Sequence, residues 1–250
     1  MNIIAHLFFK VRSILLPLCL CLCLASCSSG LPYSGMSKKE IYSDPKLYRV
    51  INAVEDRDYV GFEKIINEGG DVNLKGHKGV NALYWFVLID DLEGFIFLLN
   101  NGADINAQWE SGSSLLHILA DFNNIPFIKA ALKYDADINI QMGSIGSTPL
   151  MTSVNIDTGD SAFFLLLEAG GDPYVQHKNL GLTVYNIAVL FDRFDLVIHM
   201  IELGYVKLGA KAKGSLAYSI SKKAGSHLNN DKAKQFKIMV ARLKIEGMIE

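Results

Sequence analysis

Six histidines and four cysteines are the side chains of this 250-residue chain best suited to bind a metal, attack an electrophile or carry a proton. Their spacing withholds most of that chemistry. Cys19, Cys21, Cys23 and Cys27 all lie within the first 27 residues, and the remainder has none. The body therefore holds neither a disulfide framework nor a thiolate metal site. His77, His117, His177, His199 and His227 are scattered, and no His-Glu-x-x-His, Gly-x-Ser-x-Gly, Cys-x-x-Cys or phosphate-loop pattern occurs. His117 and Asp121 stand at i and i+4, within reach of a hydrogen bond on one helix face. A structural histidine bridging helices is the favoured role there. Gly143-Ser144-Ile145-Gly146-Ser147 is loop punctuation, because no strand precedes it as a nucleotide cradle requires. We expect no catalytic residue, no metal, no cofactor and no small-molecule substrate, and so no enzyme.

The elements that carry these residues recur. Asn101-Gly102-Ala103-Asp104-Ile105-Asn106 has close copies at 68–73 and 134–139 and a degraded one at 169–174. The aspartates, Asp71, Asp104, Asp137 and Asp172, are 33, 33 and 35 residues apart, a period that marks a stacked repeat protein. Phe62, Phe95, Ile128, Phe163 and Val197 occupy equivalent places, each followed at i+3 and i+4 by apolar or small residues. That spacing lays one apolar stripe along a short helix. Such a helix cannot bury its stripe alone, so neighbouring units must stack. Pro126 falls near a helix start, where its missing amide hydrogen is tolerated.

A second shared element follows each aspartate: Gly79 to Tyr84, Gly112 to His117, Gly146 to Met151 and Gly181 to Asn186. Thr148-Pro149-Leu150 and Ser114-Leu115-Leu116-His117 show its sense, a turn whose hydroxyl caps the next helix. Together the two elements resemble the ankyrin repeat, with its G-x-T-P-L-H start and G-A-D-V-N end. The resemblance implies an all-α, ankyrin-repeat solenoid of about six helix-turn-helix units with short β-turn tips. The units fall at about 45–73, 74–106, 107–139, 140–174, 175–206 and 207–250. Tyr84, Met151 and Asn186 replace the histidine, which puts the family's inter-repeat bonds in question at those units. The last unit carries Lys232, Lys234, Lys237, Arg242 and Lys244 and is read as a polar cap, as terminal repeats need.

Ahead of the repeats, Lys10 and Arg12 precede the apolar run 14–24 and then small residues, the order of a secretory signal. Leu24-Ala25-Ser26-Cys27 resembles the lipobox of bacterial lipoproteins. That resemblance implies a signal peptide over 1–26, lipidation of Cys27, and an anchor in the outer membrane facing the periplasm, since Ser28 is not aspartate. Residues 27–44, with Gly30, Pro32, Gly35 and several serines, read as a flexible tether. Initiation at Met36 would leave a minor cytosolic form with every repeat intact.

Formal charge is −2, and beyond residue 26 there are 22 basic to 26 acidic residues, a balance that gives no reason to expect nucleic acid, which needs a basic face. A protein partner is expected. In the ankyrin family the tips and the first-helix face make contact, which here implicates Trp109 and Met142 at tips, and Trp85, Ile118, Thr152 and Ile187 after the histidine position. Asp121, Phe122 and Asn155 lie further along the same helices. Ankyrin-repeat lipoproteins of this kind resemble immunity proteins that block phospholipase or lipase effectors of type VI secretion. The alternative is a periplasmic scaffold for an envelope enzyme, for example in oxidative-stress defence.

Overall fold

Asp44 and Pro45 show how a unit begins. The Asp44 carboxylate accepts from the amides of Lys46 (2.9 Å) and Leu47 (3.0 Å), and Pro45 supplies a first helical residue that needs no amide partner. A computed structural model of the protein describes residues 31–154, 159–178, 180–226 and 228–250, and among these the regular elements are helices. Among those residues a short helix α1 (Lys38–Ile41) is followed by six helix pairs. They are α2 (Pro45–Glu55) with α3 (Tyr59–Asn67), α4 (Leu83–Leu88) with α5 (Leu92–Asn100), and α6 (Leu115–Asp121) with α7 (Ile125–Lys133). Then come α8 (Pro149–Thr152) with α9 (Ser161–Glu168), α10 (Val184–Leu190) with α11 (Phe194–Glu202), and α12 (Ala210–Ala224) with α13 (Asn230–Ile245). Each pair falls inside one of the units expected from the repeat.

Each pair packs on the next. α6 touches α8, α8 touches α10 and α10 touches α12, while α5 touches α7, α7 touches α9 and α11 touches α13. The stripe residues Phe95, Ile128, Phe163 and Val197 are fully buried in this continuous core. The turn inside a pair needs a left-handed residue, and Arg57, Asp90, Asn123 and Asp192 supply it with φ near 58°, 56°, 53° and 60°. The tips between pairs close on one antiparallel bridge each at Gln108–Ser114 and Met142–Ser147. There Gly112 comes so close to Gly143 that a Cβ on it would sit 2.6 Å from the Gly143 Cα. No side chain fits at that contact.

The repeated Asp-x-Asn earns its place outside the core. The Asn73 Nδ2 donates to the Gly102 carbonyl (2.9 Å), and its Oδ1 accepts from the Asp104 amide (2.7 Å). Asn106 repeats this on Asp135 (3.1 Å) and Asp137 (2.7 Å), and Asn139 on Gly170 (3.5 Å) and Asp172 (2.8 Å). Two residues back, each aspartate accepts from the amide of its own asparagine and fixes the turn, as Asp104 does for Asn106 at 2.8 Å. Tyr174 breaks the series; its hydroxyl instead accepts from the Lys207 amide (3.2 Å). Asn106→Ala, which removes the two bonds this side chain makes to the next unit, is expected to cost about 2 kcal/mol. A urea midpoint unchanged from the parent chain would refute that role.

Residues 31–44 correct the expectation of a flexible tether over that span. Ile41 and Tyr42 are fully buried, and the Tyr42 hydroxyl donates to the Asn81 carbonyl (2.9 Å). The Tyr84 hydroxyl donates to the Pro32 carbonyl, and the Tyr33 ring packs edge-on against His77 at 5.5 Å. The glycines and serines of this stretch disguised two large core residues. A chain starting at Met36 would keep every helix pair but lose the Pro32 and Tyr33 contacts. Cys27 and the signal segment lie outside the described residues. None of the described helices is long and apolar enough to cross a membrane.

Candidate functional site

His117 sits on α6 at the junction of two pairs. Its Nδ1 accepts from the Ser114 amide (3.2 Å) and lies 2.9 Å from the Ser114 hydroxyl, and its Nε2 lies 3.0 Å from the Ser147 carbonyl of the next unit. A carbonyl only accepts, so Nε2 carries the proton and Nδ1 is bare. Burial pushes this imidazole down to about 4, with the Ser147 hydrogen bond and Asp137 opposing only in part. Its bonds make it a neutral joint between two units. Asn186 occupies the same position on α10: its Oδ1 accepts from the Thr183 amide (2.9 Å), and its Nδ2 donates to the Ser219 hydroxyl (3.0 Å). The inter-unit bond in question at Asn186 is therefore made. Tyr84 turns its hydroxyl to Pro32 instead, and Met151 is buried beside Ser147, 3.9 Å from its hydroxyl. His177, also buried, is likewise pushed down by desolvation.

The face expected to bind is partly absorbed into the core. Trp109 is not an exposed tip residue: it is 6% exposed, its ring set edge-on to Tyr84 at 5.0 Å and tilted against Tyr33 at 6.3 Å. Met142, at the next tip, is 3% exposed for the same reason, that each tip lies against its neighbour. The Glu110 amide donates to the Lys78 carbonyl (3.0 Å), and the Lys178 amide to the Ile145 carbonyl (3.1 Å). Ile118 and Ile187, expected to face a partner, are buried. Asn155 lies outside the described residues.

Trp85, Asp121, Phe122 and Thr152 keep part of their surface outside the core. The Trp85 Nε1 donates to the Glu55 carboxylate (3.0 Å), and the Lys38 ammonium, paired with that carboxylate, lies 5.3 Å from the indole centre. Glu55 and Lys38 thus hold the indole in one orientation. The Thr152 hydroxyl lies 2.9 Å from the Pro149 carbonyl of its own helix and 3.4 Å from the His117 carbonyl of the preceding unit, so it is engaged within the fold. Phe122 ends α6, and the equivalent ends of α4 and α10 carry Ile89, 38% exposed, and Phe191, half-buried, with Leu190 beside it. Ile89, Phe122 and Phe191 are apolar residues at equivalent helix ends, of which sequence reasoning found only Phe122; α8, between the second and the third, ends instead at the buried Ser153. The 33-residue register back from Phe122 is the signal that could have found Ile89.

Two ion clusters fix turns near these helix ends. The Arg57 guanidinium forks onto Asp91 (2.8 and 2.9 Å), and its hydrogen bonds hold the Asp91 carboxyl below the usual range. Arg193, almost wholly buried, binds both Asp160 and Asp195. An open hollow elsewhere, lined by Asn73, Lys75, Asp104, Asn106 and Gln108, is made of groups bonded between units. No group of three or more His, Cys, Asp or Glu among the described residues is placed to hold a metal ion. No protein-family model matches the chain, and no curated protein matches it.

Proposed function

We propose that this chain is a lipid-anchored ankyrin-repeat protein that binds another protein through its first-helix face, and blocks a phospholipase or lipase effector in the periplasm. The observation that carries the reading is that first helices leave apolar residues partly exposed: Trp85 on α4, and Ile89, Phe122 and Phe191 at the equivalent ends of α4, α6 and α10. Rigid aromatic side chains on a preorganised face are what protein partners bury most profitably. A chain tethered at Cys27 to the membrane that the toxin attacks would meet it at high effective concentration. Inhibition would be occlusion of the toxin's active site, with no bond made or broken here. The ankyrin assignment rests on the repeated motifs and the six stacked pairs, and the outer-membrane location on the lipobox resemblance.

The test is inhibition of the purified effector lipase by the purified chain. Near-stoichiometric loss of lipase activity is expected. Trp85→Ala and Phe122→Ala are each expected to weaken inhibition by more than about 1 kcal/mol while leaving helix content unchanged. Trp109→Ala is not a useful probe, because it would open the core. Unchanged affinity in both former variants would remove this face. A deletion strain sensitive to peroxide but not to sibling cells would favour the envelope-scaffold alternative.

A further inference from the structure

The last helix pair carries a charge that a cap does not need. Residues 207–250 hold ten basic and three acidic side chains, whereas residues 27–206 hold 12 and 23. A terminal unit requires a polar outer face, and a mixture of both signs would supply one. Three of the ten cations are committed within the fold: Lys213 to the Gly247 carbonyl, Lys223 to the Asp192 carboxylate and Lys232 to the Asp192 carbonyl. Lys234, Lys237, Arg242 and Lys244 are exposed along α13, whose inner face buries Met239 and Leu243. Arg242 meets Glu202 only at 3.7 Å, with both half-exposed.

Among these cations stand two isoleucines that the core does not take up, Ile238 at 43% exposure and Ile245 at 77%. On a helical pitch, residues 234, 238, 241 and 245 share one stripe, and Lys237, Arg242 and Lys244 flank it. Branched apolar residues between long ammonium stems suit a bilayer interface. The isoleucines enter the acyl boundary and the lysines reach headgroup phosphates. We propose that the outer face of Asn230–Ile245 docks on an anionic phospholipid surface. Most of these cations are lysines, point charges without the planar fork that reads a defined phosphate or carboxylate. A polyphosphate chain would leave the isoleucines uncovered. The proposal does not depend on the protein partner; if Cys27 is acylated, it gives the molecule a second point of attachment at its far end.

The test follows the local environment of α13, so that anchoring elsewhere in the chain does not register. The full chain, with its four cysteines changed to serine and Ala241→Cys carrying a polarity-sensitive fluorophore, is mixed with vesicles of phosphatidylcholine alone or with added phosphatidylglycerol. A blue shift is expected only with phosphatidylglycerol, and it should fade as salt rises to about 0.5 M. Lys234→Glu with Lys237→Glu should weaken the response tenfold or more, at roughly one favourable contact per cation. Ile245→Ser, a change at an exposed position that leaves the core untouched, should weaken it as well, and serves if the charge-reversed chain does not fold. The proposal fails if there is no shift, if it is equal in both vesicles, or if it is the same in every folded variant. It also fails if polyglutamate or single-stranded RNA produces the shift and anionic vesicles do not.

Discussion

Phe95→Ala is expected to destabilise the protein by about 4 kcal/mol, the range for deleting a fully buried phenylalanine. Phe95 has no exposed surface, and its ring stands edge-on to Phe127 of the next pair, with centroids 5.1 Å apart. Its removal takes away transfer free energy within its own unit and leaves a cavity at the junction between two units. The thermal midpoint should fall by roughly 10 °C for a chain of this size. Among the described residues the main helix contacts join neighbouring pairs, so the weakened junction should also divide the unfolding curve into two steps. Calorimetry beside urea denaturation checks both. A single sharp transition at the parent temperature would mean that this junction does not hold the pairs together.

Acidification supplies the second large effect. The His117 imidazole is held down to about 4 by burial, against 6.5 for the free side chain. Its Nδ1 also faces the Ser114 amide hydrogen, so a second proton would have to displace that bond. The unfolded chain therefore binds a proton between pH 6.5 and about 4 that the folded chain refuses, and stability falls as pH falls through that window. The full loss is about 3 kcal/mol, of which about 2 kcal/mol is gone by pH 5. His177 shifts in the same direction and adds to it. Asp91, held low by its Arg57 hydrogen bonds, contributes only below the ordinary carboxylate range, so the two effects separate on the pH axis. His117→Asn, the residue the chain itself uses at 186, should remove most of the slope between pH 7 and pH 5. An identical slope in parent and variant, measured by urea denaturation, would show that His117 does not set it.

The period of 33 residues, the apolar spacing at i+3 and i+4 and the capping residues determined that the chain would form short helices in pairs, and roughly where each begins. These are local properties: a cap and a stripe act within one helix, and a repeat states them several times over. Tertiary structure decided which side chains stay outside. Trp109 reads as an exposed tip because tips are polar and loop-like, yet the neighbouring Tyr84 and Tyr33 rings cover it. Ile41 and Tyr42 sit in a stretch rich in small residues, and only the packed units give them a place to bury, Tyr42 with its hydroxyl on the Asn81 carbonyl and its ring edge-on to Trp85. Asn73, Asn106 and Asn139 read as turn formers, and stacking made them rivets, because the carbonyl and amide that each one holds belong to the next unit. What a side chain touches across 30 residues of sequence depends on how two units seat against each other. That seating is a property of the packed pairs, and no single copy of the repeat contains it.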